Sequence, residues 1–346
     1  MKFAHGMVIG KFYPPHLGHH HLIRAAAERC AQVTVIACAS TVESIPLADR
    51  VAWLRVEHAD TPWVRVVAAM DEHATDYDDP DVWEIHCAIF REALGGDVVD
   101  AVFTSEPYGA ELARRFDATS VVVDLDRASV PVSGTAVRAD PAGQWEFLAP
   151  SVRAWFARRV VVLGAESSGT TTVSRALAEH YGAEWVPEYG REYTELKLAR
   201  ARAADPAATV FDLRWEAEDF AMVAKHQNAA EDAAAGRGGP LLFCDTDSFA
   251  TRVWEERYLG STSLVANRKP ALYLLTDHEG VPFEDDGLRD GEDIRPWMTA
   301  RFVELLATTG VPWLRLTGSL DERLRTAVQA CDALLAKGWS LVPPLG

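Results

Sequence analysis

The sequence predicts an α/β protein built from two doubly wound parallel-sheet domains. Short β-branched apolar runs alternate with helix-length segments along the whole chain. The alternation restarts near residue 158, and each half opens on a strand, a glycine, a loop and a helix. Strands that alternate with helices cannot pair as hairpins, so they pair in parallel with helices on both faces, and ligands gather at the carboxyl ends of the strands. At 346 residues the chain is long for one core and ample for two.

In the first half the strand runs are Met7–Gly10, Val33–Ser40, Val64–Met70, Asp100–Ser105 and Ser120–Leu125. Helix-length segments separate them: His19–Cys30, Ala48–Ala59, Val82–Leu94 and Glu106–Phe116. Asp140-Pro141-Ala142-Gly143 breaks the chain, a short amphipathic segment follows, and Arg158-Arg159 leads into the next strand. The expected domains are therefore residues 1–157 and 158–346. In the second half the strand runs are Val160–Leu163, Ala183–Val186, Leu241–Cys244, Ala271–Leu275 and Pro312–Leu316. Leu213, Ala217, Phe220, Ala221 and Ala224 form an apolar stripe at helical spacing, and Ala229–Gly239 reads as a fraying helix end and loop. Thr317-Gly318-Ser319, with Glu322 three residues on, reads as a turn with a capping box.

Composition bounds the partners. Net charge is −17, and both halves are acidic, with 13 Lys/Arg against 22 Asp/Glu up to residue 157 and 21 against 29 beyond it. Neither half offers a basic face, so no nucleic-acid partner is expected. The five cysteines, Cys30, Cys38, Cys87, Cys244 and Cys331, lie far apart without CxxC spacing and read as small hydrophobes. With no signal peptide and no apolar run near 18 residues, the expectation is a cytoplasmic protein with no membrane partner. A homo-oligomer is compatible with this composition.

The most informative segment is Gly10-Lys11-Phe12-Tyr13-Pro14-Pro15-His16-Leu17-Gly18-His19. Gly10 turns the chain off a strand, the prolines hold an extended loop, and Gly18 allows close approach at a helix start. A helix N-terminus suits phosphate, and His16 and His19 add donors at its mouth. A His-rich turn or a metal site is the competing reading, but no further ligands stand at metal spacing nearby. Ser133 and Thr135, with Arg138 three residues after Thr135, form a second hydroxyl-rich helix start carrying a cation suited to phosphate.

In the second half, Val160–Leu163 leads into Gly164-Ala165-Glu166-Ser167-Ser168-Gly169-Thr170-Thr171 and a helix. Strand, two glycines five apart and a hydroxyl residue at the helix start make a P-loop in frame and context, with Thr170 where GxxxxGK(S/T) has lysine. Backbone N–H groups still cradle phosphate there, and Thr171 keeps a hydroxyl for Mg²⁺. Glu188 and Arg191 follow the second strand, Asp245 and Asp247 close the third, and Arg289 and Arg295 lie on a Gly-punctuated charged loop after the fourth.

The first segment resembles the GxFxPxHxGH signature of the nucleotidyltransferase superfamily, and Val132-Ser133-Gly134-Thr135-Ala136-Val137-Arg138 resembles its ISxTxxR element. The chain as a whole resembles the NadR-type family, in which a nicotinamide mononucleotide adenylyltransferase is fused to a nicotinamide riboside kinase. The resemblance rests on those two motifs together with Ser105-Glu106-Pro107-Tyr108-Gly109, the P-loop, Glu188–Tyr193, Asp245-Thr246-Asp247 and Asp286-Gly287-Leu288-Arg289, in order over residues 5–335. Some members carry an N-terminal helix-turn-helix; with the first strand inside the first ten residues, none is expected here.

The resemblance implies a Rossmann-like nucleotidyltransferase domain followed by a P-loop kinase-like domain. The first would transfer AMP from ATP to nicotinamide mononucleotide, giving NAD⁺ and pyrophosphate. Its implied catalytic groups are His16, His19, Lys11 and Arg138; Gly10, Phe12, Gly18, Ser133 and Thr135 would hold ATP, and Trp83 would stack on the acceptor. The second would bind ATP through Gly164, Ser167, Ser168, Gly169, Thr170 and Thr171. Glu188, Arg191, Asp245, Asp247, Arg289 and Arg295 would serve riboside phosphorylation, with Mg²⁺ on Thr171 and Asp245. Two alternatives stay open: a second half that senses nucleotide without turnover, and a first half acting on another small phosphate acceptor such as phosphopantetheine.

Overall fold

The structure is a computed structural model describing residues 3–265 and 268–345. It divides into two compact units. The first runs to Val152 and takes in the segment from Gly338 onward; the second is Arg153–Lys337. The division falls five residues before the expected boundary, inside a short helix, and the last stretch of chain belongs with the first unit.

The first unit comprises β1 (Phe3–Gly10), α1 (Leu17–Ala27), β2 (Cys30–Ala39), α2 (Leu47–Glu57), β3 (Val64–Met70), α3 (Pro80–Leu94), β4 (Ala101–Thr104), α4 (Gly109–Arg115), β5 (Thr119–Val122) and α5 (Gly134–Ala139), and α6 (Pro150–Phe156) crosses the division. All five strands pair in parallel in the order β3-β2-β1-β4-β5. Successive side chains of a strand point to opposite faces, and β1 shows the result. Val8 packs with Ile23, Val35 and Leu54 on one face, while Met7 packs with Ile36, Cys87 and Leu112 on the other. Both faces are covered, so the strand is apolar almost throughout. The strand order reverses at β1, which opens a crevice beyond its carboxyl end where the Gly10–His19 loop begins.

The second unit comprises β6 (Arg158–Gly164), α7 (Thr170–Tyr181), β7 (Glu184–Val186), α8 (Tyr189–Ala204), α9 (Ala217–Arg237), β8 (Leu241–Asp245), α10 (Ser248–Leu259), β9 (Leu272–Thr276), α11 (Arg295–Thr309), β10 (Trp313–Leu316) and α12 (Leu320–Lys337). Its parallel order is β10-β9-β6-β8-β7, again reversing at the strand that feeds the glycine loop. Ser319 and Glu322 close the expected capping box ahead of α12, with Glu322 accepting from the Ser319 N–H at 2.8 Å.

Two readings of the second half are corrected. Residues 229–237 continue α9 without a break, because Ala234 and Ala235 pack in the core and propensity favours alanine in a helix. Leu213 lies outside that helix, which starts at Ala217 behind a capping pair of Glu216 and Asp219. All five cysteines are buried and unpaired. No helix among the described residues is long and apolar enough to cross a membrane.

Candidate active sites

Beyond β1 the chain folds back over the strand end. Phe12 takes left-handed backbone, φ +44°, and its buried ring meets the His19 ring edge-on at 5.0 Å between centroids. A Cβ on Gly10 would lie 3.3 Å from the Phe12 ring, and one on Gly18 would lie 3.1 Å from the His16 ring, so a larger residue at either position would make the ring give by a few tenths of an ångström. The His16 and His19 rings stack at 3.7 Å. The His16 backbone N–H donates to His19 Nδ1 at 3.2 Å, so neutral His19 carries its proton on Nε2 as a donor. Burial, with Arg127 and Arg138 nearby, pushes the His16 pKa down to about 4. Burial and His16 hold His19 well below its ordinary value. Both rings are therefore neutral at pH 7, and His16 Nδ1 is buried without a protein partner.

The second motif is brought to the first. Ser133 caps α5 by accepting from the Ala136 N–H at 3.1 Å. Arg138 donates to Thr135 Oγ1 at 3.1 Å and to the Tyr13 carbonyl at 2.9 Å. Its guanidinium lies 5.5 Å from the Tyr13 ring centre, and a second arginine, Arg50, lies 4.4 Å from the same ring. Arg50 is fully buried, pairs with Glu43 at 2.6 Å and donates to the Lys11 carbonyl at 3.0 Å, fixing the loop from α2. Sequence reasoning missed it, since one arginine in a helix carries no mark of burial.

Beside this loop lies a cavity of about 320 Å³ lined by Lys11, Glu43, Asp71, Trp83, His86 and Tyr108 among others. Trp83 donates its indole N–H to the Tyr77 carbonyl at 3.0 Å, and the Tyr77 and Tyr108 rings stack at 5.3 Å. Trp83 thus serves both core and cavity wall. Asp71 accepts from His86 Nδ1 at 2.5 Å, a polar pair no motif announced.

In the second unit a cavity of about 220 Å³ is lined by Glu166, Thr170, Thr171, Glu188, Arg191 and Arg289 among others. Thr171 donates to Asp245 Oδ2 at 2.6 Å, while Asp245 Oδ1 is buried without a partner. Burial raises the Asp245 pKa, and burial together with Asp245 and Glu166 raises that of Glu188. The carboxyls of Glu166, Glu188 and Asp245 line this cavity together with the guanidinium groups of Arg191 and Arg289. Mg²⁺ fits this donor set: a hydroxyl and a carboxylate with a spare oxygen suit a hard cation that completes its shell with phosphate oxygens and water. Among the described residues no three His, Cys, Asp or Glu converge as a self-sufficient metal cage.

The arginines separate. Arg289 donates to Ser167 Oγ at 2.8 Å, placing its guanidinium on the phosphate loop. Arg191 pairs with Asp286 at 2.8 Å on the cavity wall. Arg295 is buried outside the cavity lining, donating to the His278 and Val281 carbonyls at 2.7 and 2.8 Å, so it anchors a loop. Asp247 is likewise structural: it caps α10 through the Phe249 and Ala250 N–H groups and accepts from Tyr273 at 2.9 Å. Ser168 turns inward to the Ala165 carbonyl at 2.6 Å and does not line the cavity. Two features were not foreseen. Arg257 is buried between Glu166, at 3.2 Å, and Asp290, at 2.5 Å, tying the charged loop to the P-loop. Trp215 and Tyr258 line the cavity, with ring centres 5.2 Å apart.

The fold defines a protein of two parallel α/β units, each with a glycine-bearing loop at its strand-order reversal. Residues 159–323 match the model of an AAA domain family. Over 335 residues the chain is 26% identical to the trifunctional NAD biosynthesis/regulator protein NadR of Escherichia coli K12, covering 90% of this chain and 78% of that one. It is 27% identical over 303 residues to its namesake in Salmonella typhimurium LT2, covering 82% and 71%. A crystal structure of NadR protein in complex with NR superposes with a TM-score of 0.74 at 21% identity, and one with NAD and AMP-PNP with 0.71 at 21%; each comparison covers 96% of both chains. The chain is thus NadR-like over most of its length, and the relatives it resembles are NAD biosynthesis/regulator proteins.

Proposed function

We propose that the first unit transfers AMP from ATP to nicotinamide mononucleotide, releasing pyrophosphate and forming NAD⁺. The observation that carries this reading is the joining of the two distant motifs by the Arg138–Tyr13 hydrogen bond of 2.9 Å, on a loop whose Gly10 and Lys11 line a cavity with Trp83. The acceptor phosphate attacks the α-phosphorus in line, so the protein needs no nucleophile and acts by positioning and charge stabilisation. Neutral His19 offers Nε2–H to the phosphates, Arg138 offers a fork, Lys11 offers a point charge, and Trp83 supplies an aromatic wall for the pyridine ring. Gly10 lets the Phe12 ring, which meets His19 edge-on, close over the strand end, and Gly18 lets the His16 ring lie against the helix start.

The second unit, in the same reading, binds ATP on the Gly164–Thr171 loop and phosphorylates nicotinamide riboside. Thr171 and Asp245 would hold Mg²⁺, which neutralises phosphate charge when bound. Glu188, on the same wall, is placed to accept the riboside hydroxyl proton. Trp215 and Tyr258 form an aromatic flank for the riboside base, and Arg289 supplies the cation that Thr170 lacks.

The test is direct: purified chain with Mg²⁺-ATP and nicotinamide mononucleotide should form NAD⁺ and pyrophosphate, and with nicotinamide riboside should form the mononucleotide. If no NAD⁺ forms while pyrophosphate is released with another acceptor such as phosphopantetheine, the acceptor assignment is wrong. ATP binding without riboside phosphorylation makes the second unit a nucleotide sensor.

A further inference from the structure

Lys11, the point charge of the first site, already has a partner. Its ammonium donates to the carbonyl of Leu345, and Leu345 lines the same cavity as Trp83 and Tyr108. Two further bonds hold this stretch of chain. Tyr13 donates its hydroxyl to the Val342 carbonyl at 2.8 Å, and the Val342 N–H donates to Ser44 Oγ at 2.8 Å. Trp339 packs near Trp145, with ring centres 6.5 Å apart. The segment therefore lies on the phosphate loop through main-chain groups at several points.

We propose that residues 338–345 form a strap that occupies the Lys11 side of the adenylyl-transfer site in the substrate-free enzyme and withdraws when nucleotide binds; this rests on the adenylyltransferase reading above. A neutral carbonyl on Lys11 is a weak substitute for a phosphate. Charge-assisted bonds to an anion are roughly twice as strong as bonds to a neutral acceptor, so substrate displaces the strap while the empty site stays closed. Tyr13 reinforces the competition, because the residue that accepts from Arg138 through its carbonyl also holds Val342 through its hydroxyl.

Apparent affinity scales with the fraction of open sites, so a strap closed in nine molecules of ten raises the substrate KM about tenfold. The experiment removes residues 339–346 from the full chain and, separately, makes Ser44→Ala, which deletes the acceptor for the Val342 N–H. Both should lower the KM for nicotinamide mononucleotide or ATP in NAD⁺ formation, the truncation by about tenfold and Ser44→Ala by less. A synthetic peptide of residues 338–346 should inhibit the truncated enzyme competitively. In the intact chain, amide exchange at Val342 should accelerate when ATP and acceptor saturate the site. Unchanged KM values in both variants, or Val342 protection that saturating substrate does not alter, overturns the strap. A chain that forms no NAD⁺ under any condition overturns the underlying reading instead, and the exchange measurement still reports whether nucleotide displaces the segment.

Discussion

Replacing Arg289 by alanine should cripple riboside phosphorylation while leaving ATP binding largely intact. The guanidinium already sits on Ser167 Oγ at 2.8 Å, beside a loop whose usual lysine position is Thr170. A unit charge about 4 Å from a phosphate oxygen is worth about 4 kcal/mol at an effective dielectric near 20. Arg289 does not deliver all of that, because Asp286 lies 3.6 Å and Glu284 3.7 Å from its nitrogens and partly neutralise it. About 2–3 kcal/mol of transition-state stabilisation is left, a loss of roughly 30- to 150-fold in kcat. Backbone N–H groups carry the ground-state cradle, so the KM for ATP should move by less than about fivefold. The assay is ADP release with saturating nicotinamide riboside, for the native chain, Arg289→Ala, Thr170→Lys and the double variant. Lysine at 170 should return at least tenfold of what Arg289→Ala loses. Native-like kcat in Arg289→Ala, within about threefold, refutes the substitution of one cation for the other.

Three further outcomes are expected. His19→Ala and His16→Ala should each lower kcat for NAD⁺ formation roughly 10²–10³-fold, as loss of a donor to developing charge does. Since both rings are neutral, the native profile should show no step between pH 6 and 8 that either variant removes. Asp245→Asn should raise the Mg²⁺ concentration needed for riboside phosphorylation about 10- to 100-fold, and an unaltered requirement would place the cation elsewhere. The buried pair His20 and His58, 3.1 Å apart, have pKa values pushed down to about 3 and about 4 by burial. The unfolded chain, with histidines near 6.5, therefore binds more protons, so their contribution is complete above pH 7 and is lost as pH falls through 6.5 toward 4. Between pH 7.5 and 5.5 the pair should cost about 2–3 kcal/mol. His58→Leu should lose about half of that pH dependence in urea unfolding, and an unchanged slope would show that the pair does not titrate on unfolding.

The parallel sheets were legible because strands covered on both faces read as unbroken apolar runs, as in Val160–Leu163. The phosphate loops were legible because glycine spacing and helix starts are local properties. Side chains that serve the site from a distance were not. Arg50 and Arg257 are buried only because Glu43, and Glu166 with Asp290, meet them in three dimensions, and nothing within a few residues of either arginine records that meeting. Asp247 and Asp245 are indistinguishable in sequence, two acids at one strand end. The backbone then turns Asp247 onto the α10 N–H groups and leaves Asp245 facing Thr171. Arg289 and Arg295 part for a similar reason, since Arg295 opens α11 and is drawn inward by two carbonyls.

The first unit is not contiguous, and this matters while the protein is being made. Synthesis completes residues up to Val152, then inserts the 185 residues Arg153–Lys337, and only afterwards supplies the stretch that reaches Lys11 and Tyr13. At about 5–20 residues per second the interval is roughly 10–40 s. For that time a nascent chain can hold a formed first sheet whose phosphate loop has no covering segment. On the strap proposal, nucleotide present during translation would meet that loop before its competitor exists, so occupancy at birth and occupancy of the finished molecule would be set differently.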